Sequence, residues 1–131
     1  MKRTIIAAAT SAALGSSAQA GLGDEPSITE GLIAVGMALE ISETCDAIDA
    51  RKVRGFTTLM NLKGRAQALG YSDAEIDAYI DDDAERARLE GIARERLAAA
   101  GAAPGDEAGH CAAGRRAVAT GGAVGRLLRV R

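Results

Sequence analysis

Gly70-Tyr71-Ser72-Asp73-Ala74-Glu75-Ile76 reads as the stop of one helix and the start of the next. Glycine suits the left-handed position just past a helix end. Ser72 followed three residues later by Glu75 is a capping box, and Tyr71 is placed to staple onto Ile76. A chain that ends and reopens a helix within so short a span leaves no room for a strand between them. The two flanks therefore decide the class.

Toward the N-terminus, a helix is expected from an Asp46 N-cap to Leu69. Val53, Phe56, Leu59, Met60, Leu62, Ala66 and Leu69 give it a broad apolar face, with Arg51, Arg54, Lys63 and Arg65 around the flanks. Cys45 lies in the break before it. Ser27-Ile28-Thr29-Glu30 is a second capping box and opens a helix to about Glu43. Ile28, Leu32, Val35 and Leu39 share one face of that helix, while Gly31, Ala34 and Ala38 thin it for close contact with a neighbour. The polar, Gly-rich stretch 21–26 reads as a short flexible N-terminus.

Toward the C-terminus, the helix opened at Ser72 offers Ile76, Tyr79 and Ile80 and then meets Asp81, Asp82 and Asp83. Negative charge is unfavourable at a helix C-terminus and favourable at an N-terminus. A new helix is therefore expected at the aspartates, running to about Ala100, with Leu89, Ile92, Ala93 and Leu97 inward and Glu90 paired with Arg94 outside. Gly101 to Gly105, with Pro104, is a loop. Asp106 caps a fifth helix reaching about Thr120, on which Ala108, Cys111 and Val118 share a face and Gly114 permits close contact. Gly121-Gly122 breaks it, and Val124, Leu127 and Leu128 make a last short helical turn. No alternating segment reads as a strand and no repeat is visible. The expectation is all-α: one domain over 27–131, a compact bundle of about five helices.

Met1 to Ala20 has the layout of a cleaved secretory signal peptide: Lys2 and Arg3, an apolar run from Ile5 to Leu14, and Ala18-Gln19-Ala20 at the cut. The apolar run is shorter than the roughly 20 residues a bilayer-spanning helix needs. The expected location is the periplasm. In an oxidising compartment Cys45 and Cys111 read as one disulfide closing a loop of about 65 residues, which the chain-entropy account makes worth about 4 kcal/mol. Two buried free thiols or a redox-active pair are the competing readings, although no C-x-x-C spacing is present.

Aromatic residues make up 2% of the chain, namely Phe56, Tyr71 and Tyr79, so the core must be built from Leu, Ile, Val, Met and Ala in closely approaching helices. The formal net charge is −2, and it becomes more acidic when Lys2 and Arg3 leave with the signal. That balance gives no reason to expect nucleic-acid binding.

No residue set points to catalysis. His110 is the one histidine and reads as a surface residue on the first turns of its helix. Ser27, Ser42 and Ser72 look like caps or helix ends, and none stands in G-x-S-x-G. One His and two Cys do not make a zinc site. Asp81, Asp83 and Glu85 match the start of a calcium loop, but the Gly and Glu that complete one are missing, so the acids read as helix caps. No phosphate loop is present. The expectation is no enzyme, no metal and no cofactor.

Charge is the remaining asymmetry. After Glu107 no acid occurs, while Arg115, Arg116, Arg126, Arg129 and Arg131 follow. These arginines form a possible docking surface for an acidic protein or, weakly, for an anionic membrane; otherwise they are a solvated face near helix ends.

The order of features resembles a family of small exported alphaproteobacterial proteins known as a domain of unknown function. The likeness rests on Gly31 to Gly36 and the residues just before, Cys45, Leu62-Lys63, Ala66, the Gly70–Ile76 block, Tyr79, Cys111 and the Gly125-Arg126-Leu127-Leu128 ending. It implies a compact helical periplasmic domain with one disulfide and no catalytic residues, and an accessory role beside a respiratory NADH dehydrogenase. A looser, architectural likeness is to small periplasmic acid-stress chaperones of enterobacteria. The functional expectation is a non-enzymatic accessory or protein-interaction module with an unknown protein partner, or alternatively an acid-stress chaperone.

Overall fold

Pro26 fixes where the first helix begins. The computed structural model describes residues 21–131, and the expected signal peptide, 1–20, lies outside the described residues. Helix α1 spans Pro26–Thr44 with proline in its first turn, where the fixed φ is already helical and the missing N–H costs nothing. Glu25 is the N-cap. Ser27 therefore lies inside the first turn, and the capping box expected from it does not form. The preceding stretch is not a loose lead-in either. Leu22–Asp24 makes a 3₁₀ turn, and Leu22, only 5% exposed, packs with Ile28, Ala66 and Ile76.

The second helix starts later than Asp46. After Cys45 the chain turns into a short strand, β1, Ile48–Ala50. Helix α2 follows as Lys52–Ala68, with Arg51 at its N-cap. The C-terminal segment explains the difference. It makes a 3₁₀ turn at Gly125–Leu127 and ends as a second strand, β2, Leu128–Val130. The strands pair antiparallel, Ile48 opposite Val130 and Ala50 opposite Leu128. Arg51 N–H to the Leu127 carbonyl and Arg131 N–H to the Ala47 carbonyl extend the ladder. Buried backbone must find hydrogen-bond partners, and strands this short carry no readable alternation.

The remaining boundaries follow the sequence closely. Gly70 takes φ +98° after α2. Helix α3, Asp73–Ile80, opens with the expected box: Glu75 N–H donates to Ser72 Oγ at 3.2 Å, and Ser72 N–H to Glu75 Oε2 at 2.8 Å. Asp82 caps α4, Asp83–Ala99, and Asp106 caps α5, Glu107–Thr120. The domain is thus all-α in class, with five α-helices and a two-strand clasp.

Helix α1 is the centre, with α4 its most extensive neighbour and α5 and α2 also packed on it. The larger core cluster joins Ala38, Ile41, Cys45, Ile48, Leu97, Ala102, Ala113, Leu127 and Leu128. Cys45 and Cys111 are disulfide-bonded within it, Cα to Cα 5.2 Å. The inward face of α5 is rotated from the expected one. Ala108 is exposed, while His110, Ala113 and Gly114 are buried. His110 is not a surface residue: it is 1% exposed, and its Nδ1–H donates to the Asp106 carbonyl at 2.7 Å. Gly114 does allow close approach, since a Cβ there would run into Ile48 and Ile41.

Candidate docking groove

The stripe expected to be the core of α1 has a different role. Its most buried positions are Ile28, Ile33, Ala34, Ala38 and Ile41. Leu32 and Val35 are half-buried, and Leu39 is 48% exposed. Leu32, Val35, Gly36 and Leu39 form the floor of a groove of about 430 Å³. Phe56, Leu59, Met60 and Lys63 of α2 make one wall, and Arg86, Leu89 and Glu90 of α4 line the other side. The volume lies in the lower half of the range typical of ligand sites, about 300–1,000 Å³.

Helix α2 has more apolar surface than its neighbours cover. Of its broad apolar face only Leu62 and Ala66 are buried. Leu62 sits against Gly31 of α1, where a Cβ would meet both Leu62 methyls. That contact fixes α2 at its middle. Val53 is 80% exposed and Phe56 63%. Among the described residues the exposed large apolar side chains are Leu39, Val53, Phe56, Leu59, Met60, Leu69, Ile80 and Val130. Leu39, Phe56, Leu59, Met60 and Ile80 all line this one groove. Lone exposed apolar residues are ordinary, whereas a contiguous patch marks a contact surface.

A polar network closes the end near the N-terminus. Tyr79 O–H donates to Glu85 Oε1 at 2.9 Å, and Arg88 Nε–H donates to Glu85 Oε2 at 2.9 Å. Arg88 also reaches the Gly23 carbonyl at 3.3 Å. Burial of the phenol, then its hydrogen bond to a carboxylate, pushes Tyr79 up to about 12. The Arg88 hydrogen bonds hold Glu85 below the ordinary carboxylate value despite partial desolvation. Both groups are thereby fixed as neutral phenol and carboxylate across neutral pH. Glu90 is paired with Arg94 at 3.9 Å, as the sequence led us to expect, and Arg94 also approaches Glu40 at 3.7 Å.

The C-terminal arginines are mostly engaged. Arg129 and Arg131 converge on Asp49, at 3.5 and 2.8 Å, across the strand pair. Arg116 donates to the Ala100 carbonyl, and Arg126 reaches the Gly122 carbonyl at 3.4 Å. Arg115 is exposed. A shallower, more polar cleft borders this end, lined by Asp49, Arg51, Lys52, Val53, Arg54 and Arg129. His110 does not line the groove, so no histidine–carboxylate pair faces it. Among the described residues no group of three His, Cys, Asp or Glu is placed to hold a metal ion. No described helix is long and apolar enough to cross a membrane.

Sequence reasoning assigned Leu39, Phe56, Met60 and Ile80 to the core. The signal pointing elsewhere was the width of the α2 apolar face, which exceeds what one adjoining helix can cover, together with the absence of any acid from Arg51 to Ser72.

No curated protein and no solved structure matches the chain. Residues 20–129, nearly all of the part described, match the family of unknown function DUF5333, and the chain belongs to that family.

Proposed function

We propose that this protein is a non-catalytic interaction module, exported to the periplasm, and that the α1–α2–α4 groove is where its partner docks. The observation that carries the reading is the collection of Leu39, Phe56, Leu59, Met60 and Ile80, all exposed, around one groove. A folded domain gains by burying such surface, and one that leaves it open in one place is shaped to bury it against something else. The Cys45–Cys111 bridge fits a non-reducing compartment. The layout of Met1 to Ala20 fits export.

The test is photo-crosslinking in living cells from a probe residue at Met60, with Ala119 on α5 as the control position. Adducts from Met60 that are absent from Ala119 and lost on Phe56→Asp support the groove. Equal adducts from both positions would overturn it.

A specific observation also favours the acid-stress chaperone. Glu85 and Glu90 line the exposed apolar groove, and Asp81, Asp82 and Asp83 directly follow its lining residue Ile80. This reading predicts that the purified protein suppresses client aggregation near pH 3 and not at neutral pH. Equal suppression at both, or none at either, removes it.

A further inference from the structure

We propose that the groove is covered by a second copy of this chain, in a twofold dimer that places α2 of each copy against the α3–α4 junction of the other. The inference rests on the groove being a docking surface, and charge complementarity selects the occupant. From Arg51 to Ser72 the chain carries Arg51, Lys52, Arg54, Lys63 and Arg65 and no acid. From Asp73 to Glu85 it carries only acids, with Asp81, Asp82 and Asp83 consecutive at the junction of α3 and α4. Of the first run Lys63 lines the groove on α2, while Arg51, Lys52 and Arg54 line the neighbouring cleft at the start of that helix. On the α4 side Glu85 and Glu90 line the groove with Arg86 between them, and Asp81, Asp82 and Asp83 follow Ile80 at its end.

Part of each run is engaged within the chain: Arg65 donates to the Ser27 carbonyl, Asp73 accepts from Gln67, and Glu85 is held by Arg88. Among the described residues the ion pairs involve none of Lys52, Arg54, Lys63, Asp81 or Asp83. An apolar centre flanked by a cationic edge and an anionic edge matches itself after a half-turn, as an isologous interface requires. An anionic bilayer would be attracted by one edge and repelled by the other. The apolar centre, Phe56 and Met60 with Leu39 and Ile80, then supplies the desolvated middle of the interface, and the charges its rim.

The decisive experiment is sedimentation velocity on the purified protein and two charge variants. One carries Lys52→Glu, Arg54→Glu and Lys63→Glu; the other carries Asp81→Lys and Asp83→Lys. The parent is expected to self-associate, and each variant alone to do so roughly tenfold more weakly or worse. An equimolar mixture of the two variants should form a heterodimer, because every edge then faces its opposite. Phe56→Asp should leave a folded monomer.

A parent that stays monomeric at every concentration would overturn the second copy. So would a dimer indifferent to Phe56→Asp, or a variant mixture that fails to associate. Binding of a monomeric parent to phosphatidylglycerol vesicles, lost in the triple variant, would assign the surface to lipid instead. Met60 adducts to a different protein from a monomeric parent would leave the docking groove standing and remove only the dimer. Absence of groove-specific adducts of any kind would remove both.

Discussion

Tyr79 donates its phenolic hydrogen to Glu85 at 2.9 Å, joining α3 to α4 at the closed end of the groove. The phenol is raised from its ordinary value to about 12, so the folded state favours the neutral form. The stability this contributes is complete below the unfolded tyrosine value, about 10. It is lost as pH climbs through about 12. The chain contains no tryptophan, so tyrosinate absorbance reports this directly. We expect the native protein to titrate later than its urea-unfolded form, and Tyr79→Phe to delete the later component. A native titration at the unfolded midpoint would contradict the contact.

The acid limb has the opposite sign. Arg96 holds Glu30 by two hydrogen bonds, 2.7 and 2.8 Å, tying α4 to α1. Arg131 holds Asp49 at 2.8 Å. The arginine hydrogen bonds lower both carboxyls. A lowered folded pKa contributes stability above the unfolded value, and that contribution disappears as pH falls through the folded one. Both pairs are exposed, so salt and water weaken them. Urea midpoints should therefore fall modestly from pH 7 to about pH 3, and Arg96→Met should flatten part of that slope. An unchanged slope would mean that the bidentate pair does not contribute.

Reduction should matter far more. The bridge joins the end of α1 to α5 across a separation of 66 residues, and Cys45 is wholly buried. Closing a loop of that length is worth about 4 kcal/mol in the chain-entropy account. Paired Cys45→Ser and Cys111→Ser changes should lower the thermal midpoint strongly and leave helix content near native in the cold. Thiol labelling of the untreated protein should be negligible until it is reduced and unfolded. Prompt labelling would deny the bridge.

Gly114 tests the packing around that bridge. A methyl at this position would meet Ile48 and Ile41 side chains. Overpacking of this kind costs typically about 1–3 kcal/mol. Gly114→Ala should destabilise within that range, whereas Gly122→Ala, with open space around it, should be nearly neutral. Equal effects would show that α5 is not as close to β1 as described.

The helical punctuation of this chain was written locally and could be read locally. The Ser72 box, the Asp82 and Asp106 caps and the glycines at 70 and 121 each act within a few residues, and each holds in the structure. What was not legible depends on distant segments. Asp46 had the chemistry of a cap, yet the C-terminal Leu128–Val130 claims the residues after it as a strand partner. Ser27 also had that chemistry, but Pro26 starts the helix and makes Glu25 the N-cap, two residues before Ser27. His110 looked external because polarity was the only guide, and the carbonyl that lets it be buried belongs to its own helix cap. On α1 apolar periodicity marked the face that floors the groove rather than the one buried at Ile33, Ala38 and Ile41, and on α2 it could not say which part of the apolar face another helix would cover.

That distinction can be measured on one helix. Leu62 and Phe56 are both apolar α2 residues, but Leu62 is 8% exposed and Phe56 is 63% exposed. Leu62→Ala removes side-chain atoms packed against Gly31 and should cost about 2–5 kcal/mol, as buried leucines do. Phe56→Asp places a charge on a wall already facing water, and in the monomer it should change stability by no more than about 0.5 kcal/mol. Denaturation at low protein concentration separates these effects from self-association, because the monomer then dominates. If Phe56→Asp unfolds the monomer, the phenyl ring belongs to the core and the groove closes in solution. If it is neutral there but lowers the apparent stability at high concentration, the same ring is buried only when a partner arrives, as a docking wall requires.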